Sequence, residues 1–215
     1  KLIGWVNRVR AQVRHGAQPP HEFLELGHLL HEQRLFKSRD EIRLMEKAAA
    51  ISVRAHQAAM RAARPGIHEY ELQAEVERVF RAADACPAYA SIVGAGGNGC
   101  VLHYVANTGK ARDGDLVLID AGAEYRNYAA DITRTFPVNG RFSKEQRALH
   151  ELVGAAQAAA LARARPGVAF AALHETVVEV LSEGLLRLGL LKGSLEKCIA
   201  GEHYRQFYRH KRSEE

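Results

Sequence analysis

The segment Ala63-Arg64-Pro65-Gly66-Ile67 recurs as Ala164-Arg165-Pro166-Gly167-Val168, and the same offset extends downstream, where Leu72, Val76 and Val79 align with Leu173, Val177 and Val180. In each copy a Pro-Gly pair stops one helical pattern, and a second pattern starts within a few residues. A duplicated helix, stop and helix restricts the chain to folds built from two similar halves. The first copy runs on into a glycine-punctuated, β-branched region, so the second is expected to run into a sheet of its own. The counterpart of the strand that holds Asp120 would lie beyond Glu215. The chain is therefore expected to carry one half-domain and the opening helices of another.

Local signals set the boundaries. Ser38 followed by Glu41 is a capping box, in which each partner satisfies an amide at a helix start, and it opens a helix that runs to about Ala63. A second helix fits about Glu69 to Ala83, with Leu72, Val76, Val79 and Phe80 at core-facing spacing. The period then shortens. Strands are expected at Tyr89 to Val93, Cys100 to Val105, Leu116 to Gly122 and Tyr128 to Phe136, with Ala95 to Gly99 as a turn. A second capping box, Ser143 with Gln146, opens a helix to about Arg165. Residues 1–36, a basic amphipathic stretch broken by Gly16 to Pro20, read as the remnant of a preceding domain with its linker. Residues 37–215 read as one incomplete domain of the α/β (α+β) class.

Composition excludes several function classes. The formal charge is +5, but 30 basic residues are interspersed with 25 acidic ones, which argues against a nucleic-acid groove. Cys86, Cys100 and Cys198 lack the paired spacing of a structural metal site or a disulfide framework, so a reducing compartment is the simplest reading. No apolar run approaches the roughly 20 residues that span a bilayer, and the first residues hold Arg8, Arg10 and Arg14 rather than a signal core. A cytoplasmic protein with no membrane contact is expected.

Asp120 and Asp131 carry the strongest chemical signal, because each sits in an apolar strand pattern, Leu-Val-Leu-Ile-Asp and Asp-Ile-Thr. If Tyr125-Arg126 is a two-residue turn, the two aspartates pair directly across a hairpin, with Cβ atoms roughly 5 Å apart. Facing carboxylates repel, and burying them costs more, unless a cation lies between them. Carboxylate ligation favours hard divalent ions, and carboxylates bridging two ions are the usual base of a two-metal hydrolase. The plain alternative is a pair of strand-edge aspartates facing water.

The runs Asn98-Gly99-Cys100-Val101-Leu102-His103-Tyr104, Asp113 to Gly122, and Asp131-Ile132-Thr133-Arg134-Thr135-Phe136-Pro137-Val138-Asn139-Gly140 closely resemble the bacterial Xaa-Pro aminopeptidase family. The last of them resembles the proline-specific branch of the pita-bread metallopeptidases. The resemblance implies two pseudo-symmetric α/β halves around two divalent metal ions, manganese first, with zinc or cobalt as alternatives. It implies hydrolysis of the bond between an N-terminal residue and a following proline by a metal-bridged hydroxide, on peptides with proline second, in a homo-oligomer. Asp120 and Asp131 match metal ligands, and His103 matches a histidine near the substrate amide. Tyr89 matches a pocket-lining tyrosine and His210 an active-site histidine. The departure is at Glu214, which stands where the family has a ligand histidine, and two further ligand glutamates have no counterpart. An Xaa-Pro dipeptidase and a non-catalytic pita-bread binding module remain as other readings; the basic cluster Arg205, Arg209, Lys211 and Arg212 is the best support for the module.

Overall fold

The computed structural model describes residues 1–207, and its contacts divide the chain into two compact units, Lys1–Leu44 and Met45–Glu215. The first unit holds α1 (Leu2–Arg10), α2 (Leu26–Leu35) and the opening of α3 (Arg39–Ala62). The start of α3 is fixed as the sequence indicates: the Ser38 amide donates to Glu41 Oε2 and the Glu41 amide to Ser38 Oγ. His210 and Glu214 lie outside the described residues. Among the described residues no helix is long and apolar enough to cross a membrane.

In the second unit α3 packs its stripe of Ile51, Ala55 and Ala59 into a core shared with Leu72, Val76 and Phe80 of α4 (Glu69–Ala82). Two small antiparallel sheets complete this core. One is ordered β2 (Ile92–Ala95), β3 (Leu116–Asp120) and β6 (Thr133–Pro137); the other is ordered β1 (Cys86–Pro87), β4 (Ala123–Tyr125) and β5 (Tyr128–Ala129). Val93, Val117 and Ile119 are fully buried against the helices. A second cluster, Leu152, Leu185, Leu191 and Cys198, joins α5 (Lys144–Arg163), α6 (Phe170–Arg187) and α7 (Leu195–Ala200).

The duplicated segment forms the same turn twice. Gly66 and Gly167 have φ of 90° and 85°, a left-handed conformation open to glycine without penalty, and in each copy the next amide, of Ile67 or Val168, donates back to Arg64 or Arg165. The Ser143–Gln146 capping box opens α5 as expected. The strands differ from expectation in several places, and the strand expected over Tyr89 to Val93 is instead Ile92–Ala95. Residues Cys100 to Val105 form no strand: Gly96–Cys100 is a 3₁₀ helix, followed by a turn and irregular chain. The long strand expected over Leu116 to Gly122 ends at Asp120, and that over Tyr128 to Phe136 is interrupted, because the ladder passes from one sheet to the other between these points.

At that passage the backbones crowd. Ala121 donates to Ile132 O at 3.1 Å and Ala130 to Ala123 O at 2.9 Å, and a Cβ on Gly122 would overlap the carbonyl of Ala130. Gly154, on the exposed side of α5, meets nothing within 4 Å. The two glycines should therefore respond in opposite directions to alanine. Chemical denaturation is expected to show Gly122→Ala destabilising by about 2 kcal/mol through overpacking and Gly154→Ala stabilising by about 0.8 kcal/mol through helix propensity.

Candidate functional site

The hairpin that presents the two aspartates turns at Arg126 and Asn127, not at Tyr125-Arg126. Both residues have positive φ, 53° and 70°, the pair of left-handed conformations that a two-residue turn of the primed type needs, and Tyr125 pairs with Tyr128 across it. The one-residue shift of the turn changes the register by two. Asp120 pairs with Thr133, so Asp131 is its diagonal neighbour and not its direct partner. A diagonal shift of two keeps both side chains on one face.

The Tyr89 hydroxyl joins them. It lies 2.7 Å from Asp120 Oδ1 and 3.0 Å from Asp131 Oδ1. Tyr89 sits in the segment between β1 and β2, not in a strand as expected. Burial pushes the Tyr89 pKa up, and the hydrogen bonds to Asp120 and then Asp131 push it further, so the phenol stays protonated. One hydroxyl proton thus faces two carboxylate oxygens. Asp120 is half-buried and Asp131 exposed, which corrects the expectation that both would be buried. The pair stands at a rim and not inside the core.

The far side of the passage is held by α3. The Ser52 hydroxyl donates to Ala48 O and accepts the Ala123 amide at 2.8 Å. His56, 2% exposed, bonds Ala121 O at 3.1 Å through Nε2. A carbonyl only accepts, so Nε2 carries the proton, and among the described residues Nδ1 is buried with no hydrogen-bond partner. Burial lowers the His56 pKa; the bond to Ala121 opposes this, Arg134 adds to it, and the net shift is downward. These two α3 residues fix the backbone immediately after Asp120. Neither was singled out from the sequence, although both fall on the buried stripe of α3, where a polar residue signals a specific partner.

His103 is placed apart from strand structure. It lies in the turn after the 3₁₀ helix, exposed, with φ of 53°. Its loop is anchored by Glu69, also missed as a functional position, although its spacing to Leu72, Val76 and Phe80 puts it on the apolar stripe of α4. His210 lies outside the described residues, so the structure brings together Tyr89, Asp120 and Asp131 alone of the expected set. Among the described residues no group of three or more His, Cys, Asp or Glu side chains is arranged to hold a metal ion. Two carboxylates around a single hydroxyl proton nonetheless leave an excess of negative charge that a hard cation would neutralise, so the donor chemistry fits part of such a site.

The model of metallopeptidase family M24 matches residues 43–211. The chain is 42% identical over 206 residues to Xaa-Pro aminopeptidase of Escherichia coli, covering 95% of the chain and 47% of the relative. It is 46% identical over 190 residues to that of Haemophilus influenzae, covering 88% and 44%. The solved Pseudomonas aeruginosa aminopeptidase PepP superimposes with a TM-score of 0.92 at 53% identity, over 95% of this chain and 47% of that one. Zinc-substituted Escherichia coli aminopeptidase P in complex with product gives 0.91 at 42%, over 94% and 46%. The fold is the pita-bread fold, and the chain spans a little under half the length of these relatives.

The buried neutral histidine makes a pH prediction. Its native pKa lies below the ordinary 6.5, so the unfolded chain takes up the proton first and stability rises with pH across the window between the two values. The His56 contribution is full above 6.5 and is lost as pH falls toward the native pKa. Denaturation midpoints measured from about pH 7.5 to about pH 5 are expected to fall in the native chain and to change less in His56→Gln.

Proposed function

Because the chain belongs to metallopeptidase family M24, we propose that it forms part of an enzyme that hydrolyses the bond between an N-terminal residue and a following proline, using two divalent ions, manganese first. The convergence of Asp120 and Asp131 on the Tyr89 hydroxyl carries this reading. Their carboxylates would hold the ions. When bound, divalent ions supply the positive charge that makes water a nucleophile at neutral pH and polarises an amide carbonyl. Tyr89, kept protonated, orients both carboxylates from behind, the role that outer hydrogen bonds play around metal ligands. His103 would hydrogen-bond the substrate amide and stabilise the charge that develops on it during attack, and His210 would help to shape the pocket. Residues 1–36 serve as the remnant of a preceding domain.

Two carboxylates leave most of an ion's shell to water, so this stretch by itself should hold metal weakly. Titration of the 215-residue chain with Mn²⁺, read by electron paramagnetic resonance, is expected to give a dissociation constant no tighter than about 10⁻⁴ M. Binding should vanish in Asp131→Asn and weaken about ten-fold in Tyr89→Phe. A chain with no titratable Mn²⁺, or one indifferent to Asp131→Asn, would favour the non-catalytic module. On the activity side, no N-terminal residue should be released from an Xaa-Pro-Xaa tripeptide by the 215-residue chain alone. A polypeptide that continues through the second sheet should release it with Mn²⁺ present.

A further inference from the structure

Glu69, the first residue of α4, is completely buried, and among the described residues no ion pair involves it. Its Oε1 accepts the Ala95 amide at 2.8 Å and Asn98 Nδ2 at 2.9 Å. Its Oε2 accepts the Tyr104 hydroxyl at 2.8 Å and the Gly109 amide at 2.6 Å. All four donors belong to one segment, residues 95–109, and Tyr104 is the neighbour of His103 in the chain. Burial raises the Glu69 pKa, but the bonds from Ala95, Asn98, Tyr104 and Gly109 outweigh it and hold the group below its ordinary value, so the carboxylate stays charged.

One helical turn further on, Gln73 Oε1 accepts Asn107 Nδ2 at 2.8 Å. Buried Asn107 also donates to Ser91 O at 2.8 Å and accepts the Val93 amide at 2.9 Å. These bonds return the loop to the flanks of Ile92, whose partner across the ladder is Asp120. Two polar side chains on one face of α4 thus anchor a loop whose tip, Val101 to His103, is exposed. The same face is filled elsewhere by Leu72, Val76 and Phe80, so core packing alone calls for an aliphatic residue at position 69.

We propose that Glu69 is the positioning residue for His103. Through the Tyr104 hydroxyl and the Gly109 amide it holds the loop rigid and keeps His103 in its left-handed conformation. The inference rests on reading His103 as a substrate-contacting group, but its test needs neither metal nor peptide, so a failure of Mn²⁺ binding leaves it standing.

The test uses ¹⁵N relaxation and amide exchange on the 215-residue chain, comparing the native sequence with Glu69→Gln and Tyr104→Phe. Tyr104→Phe removes one hydroxyl and no apolar volume, so it carries the test if Glu69→Gln does not fold. In the native chain the His103 amide is expected to show an order parameter near about 0.85, falling below about 0.6 in both variants. Protection at Gly109 should drop about ten-fold or more in Tyr104→Phe, while Val117 and Ile119 stay within about three-fold. An unchanged order parameter at His103 would overturn the proposal. So would loss of protection at Val117 and Ile119 together with the loop, because Glu69 would then serve the fold as a whole.

Discussion

The half-domain is organised around a buried carboxylate, Glu69, that makes no ion pair among the described residues. An isolated ionised carboxylate moved from water into a protein interior is strongly unfavourable, and it persists only where dipoles replace the lost hydration. Glu69 meets that condition with four donors, and satisfying it dictates the course of the chain after β2. Asn98 and Tyr104 must both reach one carboxyl group, which an extended strand would forbid because it sets residues six apart about 20 Å from each other. A Cβ on Gly109 would collide with both Asn98 Nδ2 and Glu69 Oε1, and one on Gly94 would strike the backbone of Asn98 and Gly99. The glycines here are consequences of how closely the backbone approaches the carboxylate and the returning loop.

The candidate site obeys a different constraint, the passage of a single hairpin from one sheet to the other. Between Asp120 and Ala123 the chain leaves β3 and enters β4, and opposite it the stretch from Ala129 to Thr133 leaves β5 for β6. Ser52 and His56 meet the backbone groups on the inner side of this crossing, while the aspartates and Tyr89 occupy its outer side. The two hairpin strands stay bonded to each other there, Ala121 to Ile132 O and Ala130 to Ala123 O, while the side chains of Ser52 and His56 hold the inner backbone groups of Ala123 and Ala121. A pair of repelling carboxylates is tolerated at this place because the rim is partly solvated and Tyr89 shares its proton.

The features legible in the sequence were those that depend on short-range periodicity or on side chains a few residues apart. The capping boxes at Ser38 and Ser143, the stripes of α3 and α4, and the repeated Arg-Pro-Gly turn are of this kind, and the motifs around Asp120 and Asp131 pointed to the M24 family. The register was not legible, because Tyr125-Arg126 and Arg126-Asn127 are both acceptable turns on local grounds. Only the left-handed conformations of Arg126 and Asn127 decide between them. The run from Cys100 to Val105 is β-branched enough to suggest a strand, and the contacts that prevent one come from Glu69, thirty-odd positions earlier. Long-range polar contacts of that type leave a single trace in sequence, a charged residue at a core-facing position.

The internal repeat sharpens this point, because the position equivalent to Glu69 in the second copy is Phe170. The turn before the two residues is the same, yet Glu69 is fully buried with four donors while the Phe170 ring is 86% exposed. α4 opens with a box in which the His68 amide donates to Glu71, whereas α6 has no side-chain cap at Ala169. Duplication has therefore kept what joins one helix to the next, the Pro-Gly turn and the aliphatic stripe, and has changed the first residue of the second helix. In the first copy the carboxylate makes the helix start a hydrogen-bonding anchor, and with it holds a segment of β-branched sequence as the loop that carries His103.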